Sequence, residues 1–358
     1  MWYYGFYKFI MFFKTGLLWS DFLLIFAHRF MQRDPKYKVL VRFVEDRIRS
    51  GELKVGDRIP SVNAFRIRFS LSRSSIFLAM QELKSRGIIE AEPAVGYYVR
   101  STNVAVKEKI LLLFNEFTAF KEELYRSTLK EIGDKASVDI MFHHYDRRVF
   151  ETLLKDAEGR YTSYVLMPGK FRGLAPLLDR LPGRVFLLDH FQDDIRGHYP
   201  GVGQDFEQDT YDALIQGLNA INKYHTLVLV QHDDKEPEER YTGIKRFCEE
   251  FDFGSLLLPT IADETLHKGT LYLTPNDREL VTLIKKAAAQ KLAIGSDIGL
   301  LSFNDTPLKE VLCGGIATLS TDFRQMGRTM ASLLLDTNAP ANVPTLRNPW
   351  EFLPRQSL

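Results

Sequence analysis

Cysteine is nearly absent from this chain: two residues in 358, Cys248 and Cys313. Neither stands in a CxxC or a Cys/His cluster. That excludes a disulfide scaffold and predicts a reducing, cytoplasmic setting. Charge of one sign is missing overall, at a formal +1. No apolar run reaches the ~18 residues that a membrane-spanning helix needs. Even the aromatic-rich first thirty residues are interrupted by Lys8, Lys14 and Asp21. No small-residue cleavage site follows them, so they make a poor signal peptide. Polar residues and a regular helical pattern begin directly after Met31. The expectation is that Met31 is the biological start and residues 1–34 a non-native extension. The chain is of globular composition, 45% apolar and 26% charged. At about 150 residues per domain, its length predicts two or three domains.

The near-zero charge is a cancellation. Residues 1–34 carry +2. Residues 35–100 have thirteen Lys/Arg against seven Asp/Glu, and residues 101–358 have thirty against thirty-seven. A basic segment of domain size is thus joined to an acidic remainder. A basic domain of this kind is the electrostatic footprint of a polyanion binder.

The basic segment reads as three helices and a hairpin. Leu40, Phe43, Val44 and Ile48 fit one face of a helix over 36–49, stopped by Gly51. Pro60-Ser61 opens a second helix with Ser61 as N-cap, and Ala64, Phe65 and Phe69 on its apolar side. Ser72 caps a third, whose inner stripe is Ile76, Met80 and Leu83; Gly87 ends it. Two short strands over 88–92 and 97–100 complete a winged helix-turn-helix. Ser72, Arg73, Ser74 and Ser75 gather at a helix N-terminus, where free N–H groups favour a phosphate. Arg73 has the reach and fork for a guanine edge, and an outward Phe77 suits either a thymine methyl or packing against the wing.

The stretch Gly51-Glu-Leu-Lys-Val-Gly56-Asp57-Arg58-Ile59-Pro60-Ser61, with Leu71-Ser72-Arg73, Leu83 to Ile89 and Gly96-Tyr97-Tyr98-Val99, resembles the GntR family of bacterial repressors. The resemblance implies DNA contacts from Asn63 and the Ser-Arg-Ser-Ser positions. The candidate set is Ser61, Asn63, Ser72, Arg73, Ser74, Ser75, Phe77 and Gly96. The family's wing usually carries a basic residue; here it reads Glu92-Pro-Ala-Val-Gly96.

Residues 101–106 form a short linker, and 107–358 alternate apolar runs with helical stretches. Strands are expected over 110–114, 138–142, 163–167, 185–188, 226–230, 256–258, 269–273, 298–303 and 316–319. Helices are expected over 120–132, 211–223 and 238–251. Such alternation implies an α/β body with parallel sheets covered by helices. Ligands in these sheets bind beyond the strand C-termini. The polar residues there include Asn115, Glu116, His143, His144, Asp189, His190, Gln204, Asp205, Asn276, Asp277, Asn304 and Asp305. Carboxylates, amides and an Arg suit sugar hydroxyls, and Phe117, Phe206 and Phe323 offer stacking faces. Asx residues after strands are equally ordinary turn formers.

Several stretches look like the effector domain of the LacI family, itself similar to periplasmic sugar-binding proteins. They are Arg184 to Asp189, Val202 to Asp205, Glu239 to Ile244, Leu273 to Asp277 and, above all, Ile298 to Leu308 continuing through Thr318 to Gly327. Leu353 to Ser357 matches the family's closing strand. The resemblance implies a type I periplasmic-binding-protein-like body. Its lobes are expected at about 106–204 plus 322–340 and about 206–320, with crossings near Gln204 and Asp322. It also implies sugar contacts from Asp189, Arg240, Asn276 and Asn304. Asn304 stands where the family usually has Asp, so Asp305 is the candidate to supply the charge. The full effector set is Asn115, Asp189, Asp205, Phe206, Arg240, Asn276, Asn304, Asp305 and Phe323.

A GntR-type head on such a body is an arrangement similar to arabinose repressors. The expectation is a dimeric, sugar-responsive repressor of a carbohydrate-utilisation operon. It would bind palindromic operator DNA and an arabinose- or fucose-like monosaccharide, with no cofactor and no membrane. Enzyme or metal-sensing bodies on the same head remain the alternative. No Lys site for pyridoxal phosphate, GxSxG or P-loop is found, the eight His are scattered, and Asp193-Asp194 and Asp233-Asp234 suit solvated loops.

Overall fold

The computed structural model describes residues 37–93, 95–104, 108–232, 235–336 and 345–358. The Met31 start, part of the linker and the pair Asp233-Asp234 lie outside the described residues. The chain divides after Val104 into two units.

The first unit runs α1 (Lys38–Arg49), α2 (Val62–Phe69), α3 (Arg73–Ser85), β1 (Ile89–Glu92) and β2 (Gly96–Val99). Leu40, Val41, Val44 and Ile48 recur at helical spacing and turn one face of α1 inward. The first N–H groups of a helix have no intrahelical partner. Ser61 Oγ accepts from the Ala64 N–H at 3.2 Å, and Ser72 Oγ from the Ser75 N–H at 3.1 Å. Each serine therefore fixes where its helix begins. Ile76, Met80 and Leu83 meet Leu40, Val44, Phe65, Ile89 and Val99 in one core. The hairpin is antiparallel, with Ile89 opposite Val99 and Glu92 opposite Gly96. This is a winged helix-turn-helix.

The second unit has two lobes, each built on a six-stranded sheet. The chain enters the first through β3 (Glu108–Phe114), α4 (Ala119–Ile132), β4 (Ala136–Phe142), α5 (Arg147–Ala157), β5 (Ser163–Leu166), α6 (Ala175–Leu178), β6 (Arg184–Asp189) and β7 (Gly201–Gly203). It crosses at residues 204–205 into α7 (Phe206–Gln216), α8 (Leu218–Ile221), β8 (Thr226–Val230), α9 (Glu239–Phe251), β9 (Gly254–Leu258), β10 (Thr270–Thr274), α10 (Asp277–Ala289), β11 (Ile298–Phe303), α11 (Pro307–Val311) and β12 (Ala317–Thr321). At Asp322 it returns for α12 (Phe323–Leu335) and β13 (Leu346–Arg347), then crosses a third time into β14 (Trp350–Leu353).

The first sheet has the order β13-β7-β6-β5-β3-β4, all parallel. The second has the order β14-β12-β11-β10-β8-β9, parallel except for β14. Helices cover both faces of the sheets, which is why ILLLF at Ile110–Phe114 is buried without alternation. The returning α12 docks on α4 through Gly327, where a Cβ would lie 2.5 Å from the Leu124 carbonyl oxygen.

The structure departs from the sequence reading in several places. The helix expected over 211–223 begins earlier, at Phe206, and breaks at Gly217 into α7 and α8. The helices α5, α10, α11 and α12 and the strands β7 and β13 are additions to the expected set; Asp146, Asn276 and Asp322 cap α5, α10 and α12. The closing strand is Trp350–Leu353 rather than 353–357, because Pro354 has no N–H for the ladder. His143 and His144 follow β4, where the sequence reading placed them. Among the described residues no helix is long and apolar enough to cross a membrane.

Candidate effector cavity and DNA-facing helix

The C-terminal ends of strands from both sheets line one cavity of about 630 Å³. Seven of the nine expected effector residues meet there: Asn115, Asp189 and Phe323 from the first lobe, and Phe206, Arg240, Asn276 and Asn304 from the second. Asp189 ends β6 at φ +70° and Asn304 follows β11 at φ +60°. Both non-glycine residues hold the left-handed backbone that is uncommon outside turns and functional sites.

Arg240 is buried, and its guanidinium carbon lies 5.2 Å from the Phe206 ring centroid and 4.9 Å from that of Phe303. Its Nη1 pairs with Glu236, while its Nε has no partner. Asn276 uses Oδ1 to cap α10 through the N–H groups of Arg278 and Glu279. Its Nδ2 is then the donor left for the cavity.

Two expected residues are corrected. Asp205 caps α7 through the Gln208 N–H at 3.1 Å and does not line the cavity. Asp305 is held by both guanidinium nitrogens of Arg355, at 2.6 and 2.7 Å, and does not line it either. It cannot supply the charge expected beside Asn304. Phe117 is also outside, edge-on to Phe142 at 5.7 Å.

The cavity holds residues the sequence reading missed. Lys121, on the first turn of α4, is buried and donates to Asn115 Oδ1 at 2.5 Å; burial pulls its pKa down. Lys309 is buried too, donating to the Phe303 and Asn304 carbonyls at 2.7 and 2.9 Å. Tyr145, at φ +60°, donates to Glu116 at 3.2 Å. Lysines near helix starts ordinarily face water, so no sequence signal marked them. Five cationic and five carboxylate side chains line the cavity in all.

Ion pairs bridge the lobes around it. Lys170 meets Glu238 at 3.3 Å, Lys235 meets Glu116 at 3.5 Å and His190 meets Glu239 at 3.6 Å. The His190 imidazole beside it lowers the Glu239 carboxyl to about 2. Beside the first crossing, Arg347 of β13 reaches Asp209 at 2.6 Å and Asp212 at 2.8 Å, both on α7. Burial outweighs Arg347 and pushes the Asp209 carboxyl up to about 6.

In the first unit, Asn63, Arg73, Ser74 and Phe77 are exposed, and Phe77 is 51% accessible. The hydroxyl of Ser72 lies 2.9 Å from those of Ser74 and Ser75 while capping α3. Ser61 likewise spends its hydroxyl on a cap. Arg58 donates to the Val95 carbonyl at 2.5 Å, which holds a guanidinium against the wing beside Gly96. The wing itself lacks a basic residue, so Arg58 is its local cation.

Residues 36–99 match the model of the family described as bacterial regulatory proteins, gntR family. Residues 222–358 match a periplasmic binding protein-like domain. The HTH-type transcriptional regulator YdfD of Bacillus subtilis is 35% identical over 69 residues, 19% of this chain. The chain spans 14% of that relative's length. The HTH-type transcriptional regulator GalR of Streptococcus thermophilus is 26% identical over 301 residues, covering 75% of this chain and 88% of that one. A LacI family transcriptional regulator from Enterococcus faecium, solved with bound ribose, superposes with a TM-score of 0.58 at 19% identity. It covers 70% of this chain and 98% of its own.

Proposed function

We propose that this chain, a GntR-type helix-turn-helix head joined to a periplasmic-binding-protein-like body of the LacI type, is a sugar-responsive transcriptional repressor. The observation that carries this reading is the cavity. Asp189 and Asn304 enter it from equivalent strand ends of opposite lobes, and the guanidinium of Arg240 lines it against the rings of Phe206 and Phe303. Carboxylate, amides and guanidinium together satisfy hydroxyls that both donate and accept. The equal number of cations and carboxylates favours an uncharged, hydroxyl-rich ligand. The GalR relative and the ribose-bound structure support the same class. An arabinose- or fucose-like monosaccharide is the effector proposed. The work of the cavity is binding rather than catalysis.

In the head, Arg73 and Asn63 read bases from α3 and α2, and Arg58 and the Ser residues hold phosphates. A homodimer reads two half-sites about one helical turn apart. Apolar side chains left exposed on the second lobe, Leu256, Val281, Leu308 and Val311, support self-association. Sugar acts by favouring one lobe arrangement over another. A hundredfold change in operator affinity needs about 2.7 kcal/mol of differential binding.

The test is a thermal-shift panel of L-arabinose, L-fucose, D-galactose, ribose and lactose on the wild-type chain and Arg240→Ala. One sugar is expected to raise the melting temperature of the wild type and leave the variant unmoved. A variant that responds like the wild type places the ligand elsewhere.

A further inference from the structure

Gln204 is the first residue after β7, where the chain first crosses between the lobes. It is buried, and its amide is used at both ends. Nε2 donates to Asp189 Oδ1 in the first lobe, and Oε1 accepts from the indole Nε1–H of Trp350 in the second. The Gln204 backbone N–H also donates to the Asp189 carbonyl at 3.0 Å.

Beyond Trp350 the connection continues through rings. The indole packs edge-on against Phe206 and Phe303, both at 5.6 Å between centroids. The Arg240 guanidinium lies against the same three rings, 5.9 Å from the indole. Asp189 and Arg240 therefore enter the cavity from opposite lobes and are joined by Gln204, which also lines the cavity, by Trp350 and by the aromatic cluster. The other two crossings are tied to the same place. Asn348 Nδ2 donates to Thr321 Oγ1 at 2.6 Å and to the Asp322 carbonyl at 3.0 Å, and its N–H donates to the Gly203 carbonyl at 2.9 Å.

The chemistry explains why an amide stands at this point. A carboxylate offers only acceptors and an indole only a donor. A side chain between them must donate one way and accept the other. Glu keeps only the bond to Trp350, Lys only the bond to Asp189, and Leu keeps neither. All three groups are out of water, so a bond left unmade leaves a polar group unsatisfied and the neighbours are driven to move.

We propose that Gln204 is a positioning residue that couples the carboxylate of Asp189 to the hinge between the lobes through Trp350. The proposal rests on the reading of the cavity as an effector site. A ligand hydroxyl that donates to Asp189 competes with the Gln204 amide for the same carboxylate. The change in that bond is felt at Trp350, on the strand paired with β12, from which the second crossing leaves.

Trp350 is the one tryptophan among the described residues. Its indole N–H gives a ¹⁵N–¹H resonance, assigned in the full-length chain by its loss in Trp350→Phe. Without ligand, Gln204→Leu and Asp189→Asn are each expected to move this resonance by more than its linewidth. The second effect crosses the lobe boundary from a residue with no hydrogen bond to the indole. A role of Gln204 in packing alone does not produce it. If Gln204→Leu does not fold, Asp189→Asn and Asp189→Leu decide, since both leave Gln204 in place. A resonance that stays put in both folded Asp189 variants overturns the coupling. L-arabinose, L-fucose and D-galactose are then added in turn. A sugar that raises the melting temperature of both chains should move the resonance in the wild type and not in Gln204→Leu, and equal movement in both overturns the coupling too. If no sugar acts, the effector reading fails, while the ligand-free shifts still decide for or against the coupling.

Discussion

Ser72 serves α3 twice: its hydroxyl closes the helix, and its position places it among the groups proposed to meet phosphate. Loss of an N-cap costs about 1 kcal/mol, and in a domain of the head's size that lowers the melting temperature by about 4–8 °C. Ser72→Ala should therefore weaken DNA binding and destabilise the head together. Arg73→Ala touches no cap. It should keep the wild-type melting temperature and lose preference for duplexes that the wild-type chain selects from a random library, as read by fluorescence anisotropy. Retained preference in Arg73→Ala would mean that α3 is not the reading helix. Single residues also show where sequence reasoning stops. Asp305 reads as a ligand carboxylate from its place after a strand, yet its partner Arg355 is fifty residues away and invisible to local pattern. Lys121 reads as a solvent-facing helix residue, and only the packing of α4 over the end of β3 turns it inward.

At the scale of elements, the strands were legible because buried parallel strands are short, unbroken apolar runs. In the head, α2 and α3 were legible because a serine stands before each periodic stripe, and α1 because Leu40, Val44 and Ile48 recur at helical spacing. The start of α10 was not, because Asn276 suits both a ligand amide and a cap, and only the N–H groups of Arg278 and Glu279 show which work Oδ1 does. The fit of α12 on α4 was also out of reach, since nothing local marks Gly327 as the point of closest approach. An added Cβ there meets backbone, which cannot yield as a side chain can. Gly327→Ala should cost about 1–3 kcal/mol, the usual range for overpacking, and lower the melting temperature of the body. An unchanged melting temperature would show that the two helices separate freely.

Across the whole molecule, the buried pairing of Asp209 with Arg347 links β13 of one lobe to α7 of the other. Burial raises the Asp209 carboxyl from its ordinary 3.8 to about 6. Its folded form thus holds a proton more tightly than its unfolded form. The stability it contributes is full below about 3.8 and is lost as pH rises through about 6, a swing of about 3 kcal/mol. Asp209→Asn does not titrate. The melting temperature of the wild type minus that of Asp209→Asn should therefore increase as pH is lowered from 7 to 5 at constant ionic strength. Parallel curves for the two chains would show that Asp209 does not titrate in this window.

The order of the three crossings also shapes what happens on the ribosome. The head is made of local contacts and is complete once Val104 has emerged. Neither lobe of the body is. The first waits for α12, and the second for β14 and for Ser357, whose hydroxyl bonds both Leu300 and Ala317. Through most of translation the body is two unfinished sheets with apolar strands uncovered, held back by contacts of long sequence separation. A nonsense codon just before Trp350 therefore spares the helix-turn-helix head and ruins the body. Its product is a finished head on a body whose two sheets never close.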